Sequence, residues 1–187
     1  MSRKIYTKAI VLNAAIKIAK EVGLEKIGIR AIARELNTSV SPVYDAYESI
    51  ELLIKDIIIA IFDENAAQTS YFKRNEDVLH YGLKHPRLYR DIQKYTREND
   101  IKTTHYEDLI LFMKKEDILS DFPDLYLQSL NFDILIYISG LVNLSMSNHV
   151  FNYDLNFYLE ALKGATGLFV KGYRKHLDEE RKIWVGL

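Results

Sequence analysis

The chain of 187 residues contains no cysteine. A disulfide framework, a thiolate metal site and a cysteine nucleophile are therefore excluded, and any chemistry must come from other side chains. No N-terminal stretch combines basic, apolar and small residues as a signal peptide does, and the apolar run from Ile134 to Leu144 is too short to cross a bilayer. A soluble cytoplasmic protein with no membrane partner is expected. Enzyme signatures are missing too. There is no glycine-rich phosphate loop and no HExxH motif, and of the five histidines (His80, His85, His105, His149, His176) only His80 and His85 are close in sequence, at a spacing that points them apart on a helix. Neighbouring acids such as Glu116 and Asp117 fit a solvated helix face. The expectation is a protein that is not an enzyme and uses no cofactor or metal.

What is present is a large apolar fraction, 48% of residues, which at this length suffices for a core without metals or staples. Net charge is −1 overall but unevenly spread. Residues 1 to 50 carry eight Lys and Arg (Arg3, Lys4, Lys8, Lys17, Lys20, Lys26, Arg30, Arg34) against five acids, a net of +3 that leaves −4 for the remainder. A small basic head on an acidic body suits a phosphate-facing module joined to a segment with another task.

The periodicity is helical throughout, with no convincing alternating strand and no internal repeat. Val11, Ala15, Ile18 and Val22 share one face of a helix from about Thr7, closed by Gly23. Ile29, Ile32, Ala33 and Leu36 form a second stripe that stops at Asn37, a residue tolerant of left-handed backbone. Val40, Val43, Tyr44 and Tyr47 form a third, with Thr38 or Ser39 as its cap and Pro42 in its first turn. Ser49 caps a fourth helix, running to about Ala67. Further helices are predicted at Glu76 to Lys84, Arg87 to Glu98, Tyr106 to Leu119, Leu125 to His149 and Asp154 to His176. The last two carry apolar residues on more than one face and should be covered on more than one side.

Two short helices joined by a turn of three or four residues form the unit that sets its second helix in the DNA major groove. The segment from Ile29 to Tyr47 has that spacing, with the small Ala33 at the crossing and Val43 facing inward. An ordinary helical hairpin in a bundle has the same spacing.

Residues 10 to 54 resemble the N-terminal domain of the TetR family of transcriptional regulators. The resemblance rests on Ala14, Ala15, Glu21 and Gly23, then Arg30, Ile32, Ala33 and Leu36, then Tyr44 and Tyr47. It implies an all-α protein: a three-helix helix-turn-helix head in residues 1 to 50 and a helical effector-binding and dimerisation bundle in residues 51 to 187. It further implies a dimer, a double-stranded palindromic operator and release by a small-molecule effector. Carried over by position, Thr38, Ser39, Val40, Ser41 and Pro42 approach bases and phosphates, and Tyr44 meets a phosphate. Arg30 can reach a phosphate or a guanine edge, or can be a solvated arginine, and Lys8 adds electrostatic attraction. Tyr47 stands where phenylalanine is usual and is expected in the core.

Three departures weaken the expected grip. Gly28 replaces a frequent threonine or serine, Ile50 replaces a usual backbone-contacting lysine, and the third helix has no Lys or Arg but does have Asp45. A co-regulator acting through a protein partner, with weak or no DNA binding, is the alternative these departures leave open. In the body, the stretches from Ile138 to Leu144 and from Glu160 to Tyr173 resemble the family's dimerisation helices, giving Gly140, Leu141, Leu144, Gly164, Ala165 and Leu168 as interface candidates. Phe62, His80, Tyr81, Tyr89, Phe112, Phe132 and Tyr137 are candidates for lining an effector pocket, or are plain core.

Overall fold

The computed structural model describes residues 6–66, 70–99, 106–147 and 153–185, with the side chains of 62–66, 106 and 181–185 left aside. Within these it contains nine α-helices and no strand: α1 Lys8–Val22, α2 Ile29–Glu35, α3 Ser41–Ala46, α4 Ile50–Ala66, α5 Tyr71–Lys84, α6 Pro86–Glu98, α7 Tyr106–Met113, α8 Asp124–Ser145 and α9 Leu155–Val185. The helices divide into two compact units. The first comprises residues 1–66 and 85–103, and the second residues 67–84 and 104–187. By this division α4 and α6 pack with the three N-terminal helices.

In the first unit, the α1 stripe does what its spacing dictates. Val11, Ala15 and Ile18 are buried, whereas Val22 at the helix end is exposed. Thr7 caps the helix by accepting from the Ile10 N–H at 3.4 Å, and the Gly23 N–H closes the other end on the Ala19 carbonyl. The core is completed by Ile32, Ala33, Val43, Leu53, Ile57, Leu88 and Ile92. Each fully buried aliphatic of this size contributes about 1.5–3 kcal/mol relative to an exposed one. After Gly23 a short 3-10 turn, Leu24–Lys26, is held by Asp91 of α6, whose Oδ2 accepts from the Leu24 N–H at 3.0 Å.

In the second unit, α8 presents Leu127, Leu130, Ile134, Ile138 and Val142 to α5, α7 and α9. This helix is long and apolar enough to cross a membrane by length and composition, where the sequence reading of a short run was too narrow. Its buried stripe and the Asp133 carboxylate, which accepts from the Tyr173 hydroxyl at 2.7 Å, make it the central helix of this unit. Glu116 caps α5, accepting from the Ser70 hydroxyl at 2.8 Å and the Tyr71 N–H at 2.5 Å, a carboxylate at the positive end of the helix dipole. Tyr71 is buried and donates to Asn131 Oδ1 at 3.1 Å. Burial pushes its phenol well above the ordinary value. Arg174 of α9 forms a bidentate pair with Asp121 at 2.7 and 2.8 Å, donates to the Ile118 carbonyl at 2.8 Å, and lies over the Phe122 ring. One side chain thus joins the loop before α8 to α9.

Candidate nucleic-acid interface

The turn between α2 and α3 is built on Asn37, whose φ of 51° is the left-handed conformation that asparagine tolerates. The Asn37 N–H bonds the Arg34 carbonyl at 3.0 Å and the Thr38 N–H bonds the Ala33 carbonyl at 2.9 Å, closing α2. Beyond the turn, the segment leading into α3 differs from its sequence reading. The helix begins at Ser41, and neither Thr38 nor Ser39 caps it. Val40 occupies the cap position in helical backbone, with no side-chain bond, and its carbonyl accepts from both the Val43 and the Tyr44 N–H. Pro42 accounts for the start, since it lies in the first turn, where its missing N–H is not needed. Val40 is 41% exposed.

Side chains on α3 segregate as the third stripe predicts only in part. Val43 is fully buried against α1 and α2, where Ala33 is also buried, and the small residue permits the close crossing. Tyr44, by contrast, is 61% exposed although it belongs to the apolar stripe. Ser39, Ser41 and Asp45 are exposed with it, while Thr38 and Pro42 are half-buried. Tyr47 is in the core, as expected, and donates to Asp56 Oδ2 at 3.1 Å. Burial first, then this bond, pushes its phenol far above the usual value. Tyr47→Phe is expected to cost about 1 kcal/mol, the net value of one hydrogen bond, read as a lowered urea midpoint with the helical spectrum unchanged.

The cations of this unit divide into engaged and free. Lys8 pairs with Asp56 at 2.8 Å and sits 4.9 Å from the centre of the Tyr47 ring. Lys17 pairs with Glu35 at 2.6 Å, which raises its pKa. Arg30 and Arg34 are exposed and have no acid partner among the described residues. Gly28 stands at the α2 N-cap with no side-chain bond, so the hydroxyl lacking in the sequence is lacking in the cap as well. Ile50 opens α4 half-buried. Arg3 and Lys4 lie outside the described residues.

The effector-pocket candidates fall in both units. Tyr89 belongs to the first unit, where its hydroxyl accepts from Gln93 at 2.9 Å. In the second unit, His80 is exposed and Phe132 is 64% exposed, while Tyr81 is half-buried. Phe112 meets the Tyr71 ring edge-on and Tyr137 meets Phe169 edge-on. The side chain of Phe62 lies outside the described residues. Of the interface candidates, Leu144 and Leu168 are exposed, and Gly140 and Gly164 have open space where a Cβ would be. Ala165 is half-buried and Leu141 is buried within its own chain. Sequence reasoning overlooked an apolar groove of about 870 Å³ along α9, whose lining includes none of the pocket candidates.

Comparison with protein-family models and with curated proteins gives no match. Comparison with solved structures does. A single-residue variant of TetR from Acinetobacter baumannii AYE, in complex with minocycline, aligns with a TM-score of 0.63 at 17% identity, covering 90% of this chain and 96% of that one. BioQ with its double-stranded DNA operator aligns with a TM-score of 0.56 at 16% identity, covering 83% and 96%. A TetR transcriptional regulator from Rhodococcus sp. RHA1 aligns with a TM-score of 0.55 at 14% identity, covering 88% and 97%. Each likeness spans nearly the whole of the other chain. This all-α chain, helix-turn-helix included, has the fold of the TetR-type transcriptional regulators.

Proposed function

We propose that this chain is a TetR-family transcriptional regulator that binds a palindromic operator in the cytoplasm as a homodimer, represses transcription and is released by a small-molecule effector. The observation that carries the reading is the contrast across α3. Val43 is fully buried, while Tyr44, Ser41 and Val40 stand exposed and are joined on α2 by Arg30, an arginine with no acid partner among the described residues. A hairpin that served only packing would have no need to turn a tyrosine of its apolar stripe outward. Phosphate contacts then fall to Tyr44, Arg30 and Lys8, with Thr38, Ser39, Ser41 and Pro42 beside the bases. The structural neighbours that were solved with operator DNA and with minocycline support both a DNA and an effector partner.

Exposed Leu144 and Leu168, together with the open glycines Gly140 and Gly164, support pairing through α8 and α9. A dimer is also what the geometry of DNA asks for, since two heads must reach successive grooves about 34 Å apart. A mobility-shift assay with DNA flanking the chain's own gene, at two salt concentrations, tests the reading. A shift that weakens with salt supports it. The engagement of Lys8 and Lys17 by acids favours a second reading, a TetR-fold co-regulator that works through a protein partner, and no shift at low salt would decide for it.

Exposed Val40 and half-buried Pro42 suit contact with thymine methyls better than hydrogen bonds to guanine. Selection from random DNA is expected to return sites that are A·T-rich at these positions. Recovery of uniformly G·C-rich sites would contradict that assignment.

A further inference from the structure

One carboxylate in the first unit gathers side chains from two other elements. Asp56 of α4 takes two partners on the same oxygen, Oδ2. Lys8, the first residue of α1, brings its Nζ to 2.8 Å, and Tyr47, at the C-terminal end of α3, donates its hydroxyl at 3.1 Å. The Lys8 ammonium also lies 4.9 Å from the centre of the Tyr47 ring. Tyr47 is buried, whereas the side chains of Lys8 and Asp56 are 63% and 31% exposed. The exposed Tyr44 precedes Tyr47 by three residues, so the ion pair lies within about one helical turn of the outward-facing residue of α3.

A cation strengthens binding to a polyanion by neutralising a phosphate and releasing the counterions condensed there. Lys8 is not free to do so. To reach a phosphate it must give up Asp56, and the carboxylate left behind then stands near the same negative charge. The pair is thus close to neutral toward DNA, while Arg30 and Arg34, which have no acid partner among the described residues, keep their whole charge for it. The Tyr47 hydroxyl holds the carboxylate in place between the two.

We propose that Asp56 is an electrostatic latch on Lys8 that lowers both the affinity of the head for DNA and the salt dependence of that affinity. Its consequence for an operator rests on the DNA-binding reading given above. The latch itself acts against any polyanion.

The test compares the full chain with Asp56→Asn, which removes the charge and keeps an acceptor for the Tyr47 hydroxyl. On DNA flanking the chain's own gene, this variant is expected to bind about fivefold more tightly at about 50 mM salt, with a slope of log affinity against log salt steeper by about 0.9. In a Lys8→Met background the same change should give less than about half of either gain, because no cation is there to release. Glu35→Gln alters net charge equally and frees Lys17, which lies nine residues and about 13 Å further along α1, beyond a screening length of about 10 Å. Its slope should match the parent's. Tyr47→Phe keeps the ion pair and should also leave the slope unchanged, whereas a merely structural Asp56 would weaken binding in both Asp56→Asn and Tyr47→Phe. Unchanged or weaker binding by Asp56→Asn overturns the latch, as does an equal gain in the Lys8→Met background or in Glu35→Gln.

Elution from heparin reads the latch without an operator. Asp56→Asn should elute at higher salt than the parent and than Glu35→Gln, and unchanged elution overturns the proposal. Later elution of Asp56→Asn, with no DNA binding by it or the parent, would sustain the latch and sink the operator reading. Unchanged elution with DNA binding by the parent intact would do the reverse.

Discussion

Replacing Gly23 with alanine is expected to destabilise the protein by about 2–6 kcal/mol, the largest effect of any single methyl group added to the first unit. Two independent costs combine there. The backbone has φ 89° and ψ 169°, a region that is essentially glycine's alone and costs other residues about 1–3 kcal/mol. A Cβ built on that backbone would also lie 2.6 Å from Asp91 Oδ2, the oxygen that accepts from the Leu24 N–H. Moving the carboxylate to make room gives up that bond, worth about another 1–3 kcal/mol because the acceptor is charged. The measurement is equilibrium urea unfolding followed by circular dichroism. Gly28→Ser provides the control, since Gly28 has extended backbone and nothing within 4 Å of its added Cβ. That change should shift stability by no more than a few tenths of a kcal/mol, in the stabilising direction if the hydroxyl caps α2.

The second large effect concerns affinity. Arg30→Ala and Tyr44→Ala are each expected to weaken operator binding by roughly 5- to 150-fold, the equivalent of about 1–3 kcal/mol per well-made contact. Both side chains are exposed and neither supports the core, so unfolding midpoints should stay within about 0.5 kcal/mol of the parent. The two roles open to Arg30 separate in the salt dependence. If Arg30 meets a phosphate, its removal lowers the slope of log affinity against log salt by about 0.9. If it meets a guanine edge, its removal relaxes sequence preference at one position and leaves the slope nearly unchanged.

Much of the head was legible because its signals are local. The Val11, Ala15 and Ile18 stripe, the terminating Gly23 and the left-handed Asn37 each follow from residue type and spacing, and the structure places them accordingly. The start of α3 was misread because Thr38 and Ser39 have strong capping propensities. The turn places them before the helix, and Pro42 fixes its first turn one or two residues later than they suggest. Tyr44 illustrates a deeper limit, since periodicity assigns a residue to a stripe but not to the inside, and here the stripe is split between the core and solvent.

In the body the limits are of another kind. Helix α9 runs on to Val185, well past the expected end near His176, because the apolar signal fades while helix-forming Glu, Lys and Arg continue. Lys175 with Glu179 and His176 with Glu180 are spaced to pair along it. Helix α5 starts five residues before its expected start at Glu76, since Asn75 is polar yet buried and so interrupts the apolar pattern at a core position. Among the aromatic pocket candidates, Phe112 meets Tyr71 and Tyr137 meets Phe169, while the groove along α9 is lined largely by aliphatic and charged residues. No local pattern distinguishes such a face from a solvated one.

Whether the outward face made by Arg30 and Tyr44 grips DNA is tested most directly by fluorescence anisotropy on DNA flanking the chain's own gene. The comparison is between the parent and the double variant Arg30→Ala, Tyr44→Ala at about 50 and 200 mM salt. The parent is expected to bind, with an affinity that falls steeply between the two salt concentrations, and the double variant to lose most of its binding while remaining folded. Equal affinity of parent and double variant, or a parent that does not bind even at the lower salt, would contradict a DNA-gripping role for this face.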